Sequence, residues 1–244
     1  MKIVGIIPAR WASTRLEGKV LADILGKPMI QHVWERAKRS SLLDEVYIAC
    51  DNDNVFRVVE EFGAKAIMTS SDHTSGTDRI AEAAARIEAD VILNIQGDEP
   101  LIEAAVLDAL AQAMQEDPLV LMATVIKKFD SIKEIESPNV VKVVIDIYKD
   151  AIYFSRSSIP FYRDTDTVNK VFYKHLGFYA YRREFLLKYK DLPASSLEQA
   201  ERLEQLRALE GGVRIRTIQT DYDTISVDTP EDLHAVIERL KEES

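Results

Sequence analysis

Residues 8–27 read PARWASTRLEGKVLADILGK and follow directly on an apolar run, Ile3, Val4, Ile6 and Ile7. The run has the composition of a buried strand, and Pro28 opens a helical pattern over residues 28–39. Between them Arg10, Arg15 and Lys19 place three cations among small or hydroxyl side chains: Ala9, Ala12, Ser13, Thr14 and Gly18. Such a loop lets backbone N–H groups and positive charge converge, which is what binding a polyphosphate requires. A solvated surface loop has the same composition, so charge alone leaves both readings open. Position favours the first, because open α/β sheets bind ligands at the carboxyl ends of their strands. Two common nucleotide motifs are excluded. A Walker A loop ending at Gly18-Lys19 needs Gly at 13 and Ser or Thr at 20, where the chain has Ser13 and Val20. A dinucleotide fingerprint needs three spaced glycines, and Gly5 stands alone.

Outward from this loop, apolar runs at 46–49, 64–68 and 91–95 alternate with helical patterns at 28–39, 52–62, 78–88 and 103–116. That rhythm predicts an α/β fold with a mostly parallel central sheet and helices on both faces. From about residue 119 the strands 120–126, 140–146, 151–155 and 176–181 follow with fewer helices between them, which predicts antiparallel additions or an excursion. Helices at 196–210 and 230–241 close the chain around a strand at 213–218, the first carrying a Ser195 to Glu198 capping box and the second starting at Thr229-Pro230. One domain over 1–244 is expected, with a first half to about 120, a second to about 212, and a return to the main sheet. The irregular stretch 156–174 is long for a structureless loop and points to function or mobility.

The 244 residues carry a net charge of −10, with cations local rather than spread over a face, which argues against a nucleic-acid binder. Cys50 is the single cysteine, so no intrachain disulfide forms and a reducing, cytoplasmic location is expected. No apolar run is long enough to span a bilayer, and the chain begins in a core strand without a basic leader.

Two turns carry acids suited to a metal. Asn94-Ile95-Gln96-Gly97-Asp98-Glu99-Pro100 ends a buried strand, and Val227-Asp228-Thr229-Pro230 precedes a helix. Mg²⁺ takes one or two carboxylates together with substrate phosphates, so Asp98 and Asp228 suffice as candidates. Aspartates in such turns equally serve backbone N–H groups or a helix dipole. Residues 72–79, DHTSGTDR, read unaided as an ordinary helix cap. On the helix from Ser196, Leu203, Leu206 and Leu209 form an apolar stripe, which predicts that Glu201, Glu204 and Gln205 lie on a wet face.

The segments Ile7-Pro8-Ala9-Arg10, Ser13-Thr14-Arg15-Leu16, Gly18-Lys19 and Gly26-Lys27-Pro28-Met29-Ile30 resemble the opening of the 3-deoxy-manno-octulosonate (Kdo) cytidylyltransferases, a family of the nucleotide-diphospho-sugar transferase type. The chain departs from that pattern at Glu17 and Val20, where the family usually has proline, a change that loosens the loop without removing a cation. Further similar segments, QGDEP at 96–100, SGTDR at 75–79, YFSR at 153–156 with Ile159-Pro160, KHLGFY at 174–179, LEQLR at 203–207 and VDTPEDL at 227–233, extend the resemblance over nearly the whole chain.

The resemblance implies transfer of CMP from CTP to the anomeric hydroxyl of Kdo, releasing pyrophosphate, on the route to lipopolysaccharide. It implies Mg²⁺ held by Asp98 and Asp228, with Arg10, Arg15 and Lys19 stabilising charge on the phosphates. Pro8, Ala9, Arg10, Ser13, Lys19, Ser75, Gly76, Arg79 and Gln96 are implied to bind the nucleotide. Gln96, Arg156, His175, Tyr179, Glu204 and Gln205 are implied to bind the sugar acid, with Arg156 as the carboxylate clamp and His175 donating to a hydroxyl. A homodimer is the family precedent. Two rival readings are a cytidylyltransferase for another sugar acid, such as sialic acid or an amino analogue of Kdo, and a nucleotide sensor without turnover.

Overall fold

The computed structural model describes residues 1–11, 18–73, 75–164, 170–223 and 225–243. The first half alternates as expected. Strand β1 (Ile3–Ala9) leads through a 3-10 turn (Lys19–Leu21) and a small ribbon, β2 (Asp23–Ile24) with β3 (Lys27–Pro28), into helix α1 (Met29–Ala37). Then follow β4 (Glu45–Cys50), α2 (Asp53–Glu61), β5 (Lys65–Met68), α3 (Gly76–Ala85), β6 (Val91–Asn94) and α4 (Ala104–Glu116). The second half holds β7 (Met122–Lys128), α5 (Ile132–Glu136), β8 (Lys142–Ile145), β9 (Ala151–Ser155), β10 (Tyr173–Arg182), α6 (Arg183–Tyr189), α7 (Ser196–Glu201), α8 (Gln205–Glu210), β11 (Ile215–Thr220) and α9 (Pro230–Glu242).

One sheet joins both halves, in the order β11-β7-β10-β6-β1-β4-β5, with β8 beside β10 and β9 at the edge beyond β8. Along β1 the side chains divide between two cores by strand alternation. Ile3, Ile7 and Ala9 pack with Ile30, Val33, Val55, Val59 and Leu107 from α1, α2 and α4, whereas Val4 and Ile6 pack with Ile80, Ala84, Leu186 and Leu206 from α3, α6 and α8. Helices therefore cover both faces. The apolar runs of β1 and β6 are continuous because neither face meets water.

The antiparallel excursion expected in the second half is present as β10, which runs antiparallel between β6 and β7, and as the hairpin β8–β9; β7 itself is parallel to β11. One expectation is corrected. The helix expected over 196–210 is two short helices, because Arg202 adopts φ +53° and turns the chain between them. Helix α6 was hidden by its length of seven residues. Among the described residues, no helix is long and apolar enough to cross a membrane.

Candidate active site

The carboxyl ends of β1 and β6 face the start of α9, and three charged side chains meet there. Lys19 Nζ lies 3.0 Å from Asp98 Oδ2 and 3.0 Å from Asp228 Oδ1. The two carboxylates, 130 residues apart in sequence, are thus no farther from each other than twice that contact. Burial by itself would lower the pKa of the Lys19 ammonium, but Asp98 and then Asp228 outweigh it and hold it above the ordinary lysine value.

Local structure explains the placement. Gly97 lets the turn after β6 close against β1, since a Cβ there would stand 2.6 Å from the Pro8 carbonyl oxygen. The Val227 N–H donates to the Asp98 carbonyl (2.9 Å), stitching the two acidic turns together. Thr229 and Asp232 form the capping box of α9, and Asp232 Oδ2 also accepts from the Asp228 N–H (3.0 Å). Glu99 is buried between these elements. Burial first, then the charges of Asp98 and Asp228, push its carboxyl up to about 9, so it is neutral at pH 7 and adds no third anion.

A divalent cation fits this arrangement. A cationic nitrogen already sits between the two carboxylates, and Mg²⁺ needs few protein ligands where phosphates complete its shell. Among the described residues, no three His, Cys, Asp or Glu side chains cluster as a metal cage.

Arg10 follows β1 directly, and the Trp11 N–H donates to Asp51 Oδ1 (2.8 Å). The Gly18 N–H returns to the Trp11 carbonyl (3.1 Å), closing the base of the loop; Gly18 holds φ +65° with the Trp11 indole packed over it. Ser13 and Arg15 lie outside the described residues. Ser75 caps α3, accepting from the Asp78 N–H (3.0 Å), so the helix-cap reading of that segment holds. Gly76 nevertheless faces Pro8, which places the cap beside the end of β1, where Ala9 is buried in the core.

Arg79 is placed otherwise than its implied role as a nucleotide contact suggests. It is fully buried, with Nη2 on Asp51 Oδ2 (2.9 Å) and Nη1 on Thr69 Oγ1 (2.7 Å) and the Ser70 carbonyl (3.2 Å). Through Asp51 it holds the loop base rather than presenting a surface to ligand. Asp51 was missed by sequence reasoning; its position at the carboxyl end of β4 was the available signal.

Beyond Asp98 a cleft of about 590 Å³ opens, lined among others by Gln96, Asn139, Lys174, His175 and Gly177. That size suits a small polar ligand. Gln96 Nε2 donates to the Gly177 carbonyl (2.7 Å). Thr124 Oγ1 donates to the Phe178 carbonyl (2.7 Å), so the His175 contact at 2.9 Å has Nε2–H donating to Thr124. Burial lowers the His175 pKa to about 3. The neutral ring then offers Nδ1 as an acceptor, a correction to its expected role as donor. Tyr179 is buried beside it, its ring 5.2 Å from the imidazole and 5.7 Å from Tyr181.

The polar face of 201–205 is not wet. Gln205 is buried with its Nε2 unpartnered, and Glu204 accepts from Thr77 Oγ1 (3.0 Å), its carboxyl pushed upward in pKa by burial. Glu201 accepts from Ser155 Oγ (2.6 Å) and the Arg156 N–H (2.9 Å). Periodicity failed here because the break at Arg202 reorients α8. Arg156 directs Nε to the Glu201 carbonyl (2.8 Å) and Nη1 to the Pro138 carbonyl (2.9 Å), so the guanidinium braces the cleft wall. The Lys142 ammonium, fully buried, donates to the carbonyls of Ser137, Val140 and Arg156 and fixes the same wall.

Comparison with known proteins gives a consistent picture. A cytidylyltransferase family model matches residues 4–215. The 3-deoxy-manno-octulosonate cytidylyltransferase of Geotalea uraniireducens is 52% identical over 250 residues, covering 99% of this chain and 100% of its own. The protein of the same name from Geobacter sulfurreducens is 51% identical with the same coverage. A solved CMP:2-keto-3-deoxy-manno-octonic acid synthetase complexed with CTP superposes with a TM-score of 0.96 at 46% identity, covering all of both chains. The 4-diphosphocytidyl-2C-methyl-D-erythritol synthase of Anaerococcus prevotii, at 14% identity and TM-score 0.65 over 98% of both chains, shares the fold alone.

Proposed function

The chain belongs to the cytidylyltransferases, within the 3-deoxy-manno-octulosonate cytidylyltransferase family, and from that premise we propose that it moves CMP from CTP to the anomeric hydroxyl of Kdo with Mg²⁺ at Asp98 and Asp228, releasing pyrophosphate. The observation that carries the metal is the convergence of the Asp98 and Asp228 carboxylates, each with an oxygen 3.0 Å from the Lys19 ammonium. When bound, the ion would supply Lewis-acid charge at the α-phosphoryl oxygens and lower the pKa of the attacking hydroxyl.

The chain's own groups do the rest. The hydroxyl oxygen forms a bond to the α-phosphorus as the bond to the pyrophosphate oxygen breaks, and the hydroxyl proton is given up to solvent. Arg10 and Lys19, beside the end of β1, stabilise the negative charge gathering on pyrophosphate. Gly97 brings Asp98 within reach of that charge. The neutral His175, with Gln96 and Tyr179, accepts and donates hydrogen bonds to sugar hydroxyls, and Arg156 and Lys142 hold the wall against which the acid rests. No side-chain nucleophile is needed. Cys50, buried with its thiol pushed up to about 12 by burial, is not one.

The test is a pyrophosphate-release assay with Kdo, sialic acid and an amino analogue of Kdo, each nucleoside triphosphate in turn, and EDTA. Turnover confined to CTP with Kdo and abolished by EDTA is expected. CTP-dependent turnover with another acid would reassign the acceptor, and no turnover at all would leave a sensor. A homodimer is supported by exposed apolar side chains on and beside the β8–β9 hairpin, Ile147 at 88%, Tyr148, Ile152 and Phe161, next to the open edge of β9. Light scattering should give twice the chain mass.

A further inference from the structure

Lys127 on β7 and Lys174 on β10 are register partners in an antiparallel pair, and both side chains are about nine-tenths buried. Like charges directly opposite one another on a sheet repel, and burial sharpens the cost. Each has an outer acidic neighbour, Asp130 at 2.8 Å from Lys127 and Glu134 at 3.7 Å from Lys174. The carboxylate that both share, among the described residues, is Asp223, with Oδ2 3.2 Å from Lys127 and Oδ1 2.6 Å from Lys174.

Topology gives this bridge a role. Strand β11 ends at Thr220, the register partner of Lys127, while Asp98 lies beyond β6, with β7 and β10 between. Between Thr220 and Asp228 the chain must therefore pass two strands. It is held midway by Asp223 and at its far end by the Val227 N–H on the Asp98 carbonyl, and Ile225 and Val227 pack with Val236 and Leu240 of α9. We propose that Asp223 is a positioning residue that fixes the metal-site carboxylate of Asp228 through the paired lysines. This rests on the Mg²⁺ reading above.

The test titrates the full chain with Mn²⁺ in the presence of CTP, followed by the enhancement of water-proton relaxation over that of Mn²⁺ and CTP without protein, with circular dichroism to confirm folding. Wild type should bind the ion and Asp98→Asn should lose it. Asp223→Asn should weaken binding at least fivefold and Asp130→Asn less than twofold. The double variant Lys127→Met/Lys174→Met is the discriminating case, because charge acting through space would tighten Mn²⁺ on loss of two cations, whereas loss of the tether weakens it at least fivefold. Double-variant binding as tight as wild type, or tighter, overturns the proposal while leaving the metal reading intact. Wild type that fails to bind Mn²⁺, or Asp98→Asn that binds it unchanged, overturns both.

Discussion

Lys19 and the two aspartates it bridges show how few atoms the chemistry asks of this chain. Removing one anion while keeping its shape tests that economy. Asp98→Asn is expected to lower kcat by at least 100-fold with an unchanged melting temperature, and near-normal turnover at saturating Mg²⁺ would take Asp98 out of the reaction. Arg156 separates two roles. Its Nε and Nη1 donate to backbone carbonyls of Glu201 and Pro138, so Arg156→Ala should cost about 1–3 kcal/mol of stability. It should also raise the KM for the sugar acid several-fold while the KM for CTP stays within twofold. An unaltered sugar-acid KM would place Arg156 outside the acceptor site.

At the scale of elements, the site is assembled by turns rather than by helices or strands. The turn after β6 approaches β1 so closely that only a residue without a Cβ fits at 97. Gly97→Ala must therefore displace backbone, carrying Asp98 away from Lys19 and Asp228. A loss of activity of 100-fold or more is expected, together with a lowered melting temperature; an alanine variant of ordinary kcat would show that the turn can relax. The helix break at Arg202 acts in the same way, turning Glu204 and Gln205 inward although the stripe of leucines in the sequence points them out.

Stability against pH is a property of the whole molecule, and two buried groups bias it in opposite directions. His175 has its pKa depressed to about 3, so its contribution is complete above its ordinary value near 6.5 and is lost as pH falls toward 3. Glu99 has its pKa raised to about 9, so its contribution is complete below its ordinary value near 4.5 and is lost as pH rises toward 9. Between about pH 7 and 9 the His175 effect is absent and Glu99 contributes a slope of up to about 1.4 kcal/mol per pH unit. In EDTA, Glu99→Gln should flatten the fall of melting temperature over that interval. Parallel curves for the variant and wild type would mean that Glu99 is already ionised.

The amino-acid sequence by itself determined the alternation of strands and helices, the three-layer architecture and the identity of the two acidic turns. Hydrophobic period and turn chemistry are local, and the segments from Ile7 to Asp228 resemble one family throughout. Only the tertiary structure decided what those residues touch. The role of Arg79 as a buried brace, the acceptor state of His175, the inward turn of Gln205 and the lysine pair on Asp223 depend on strand register and on one backbone reversal at Arg202. These join residues that are distant along the chain, and no local pattern records which of them will meet.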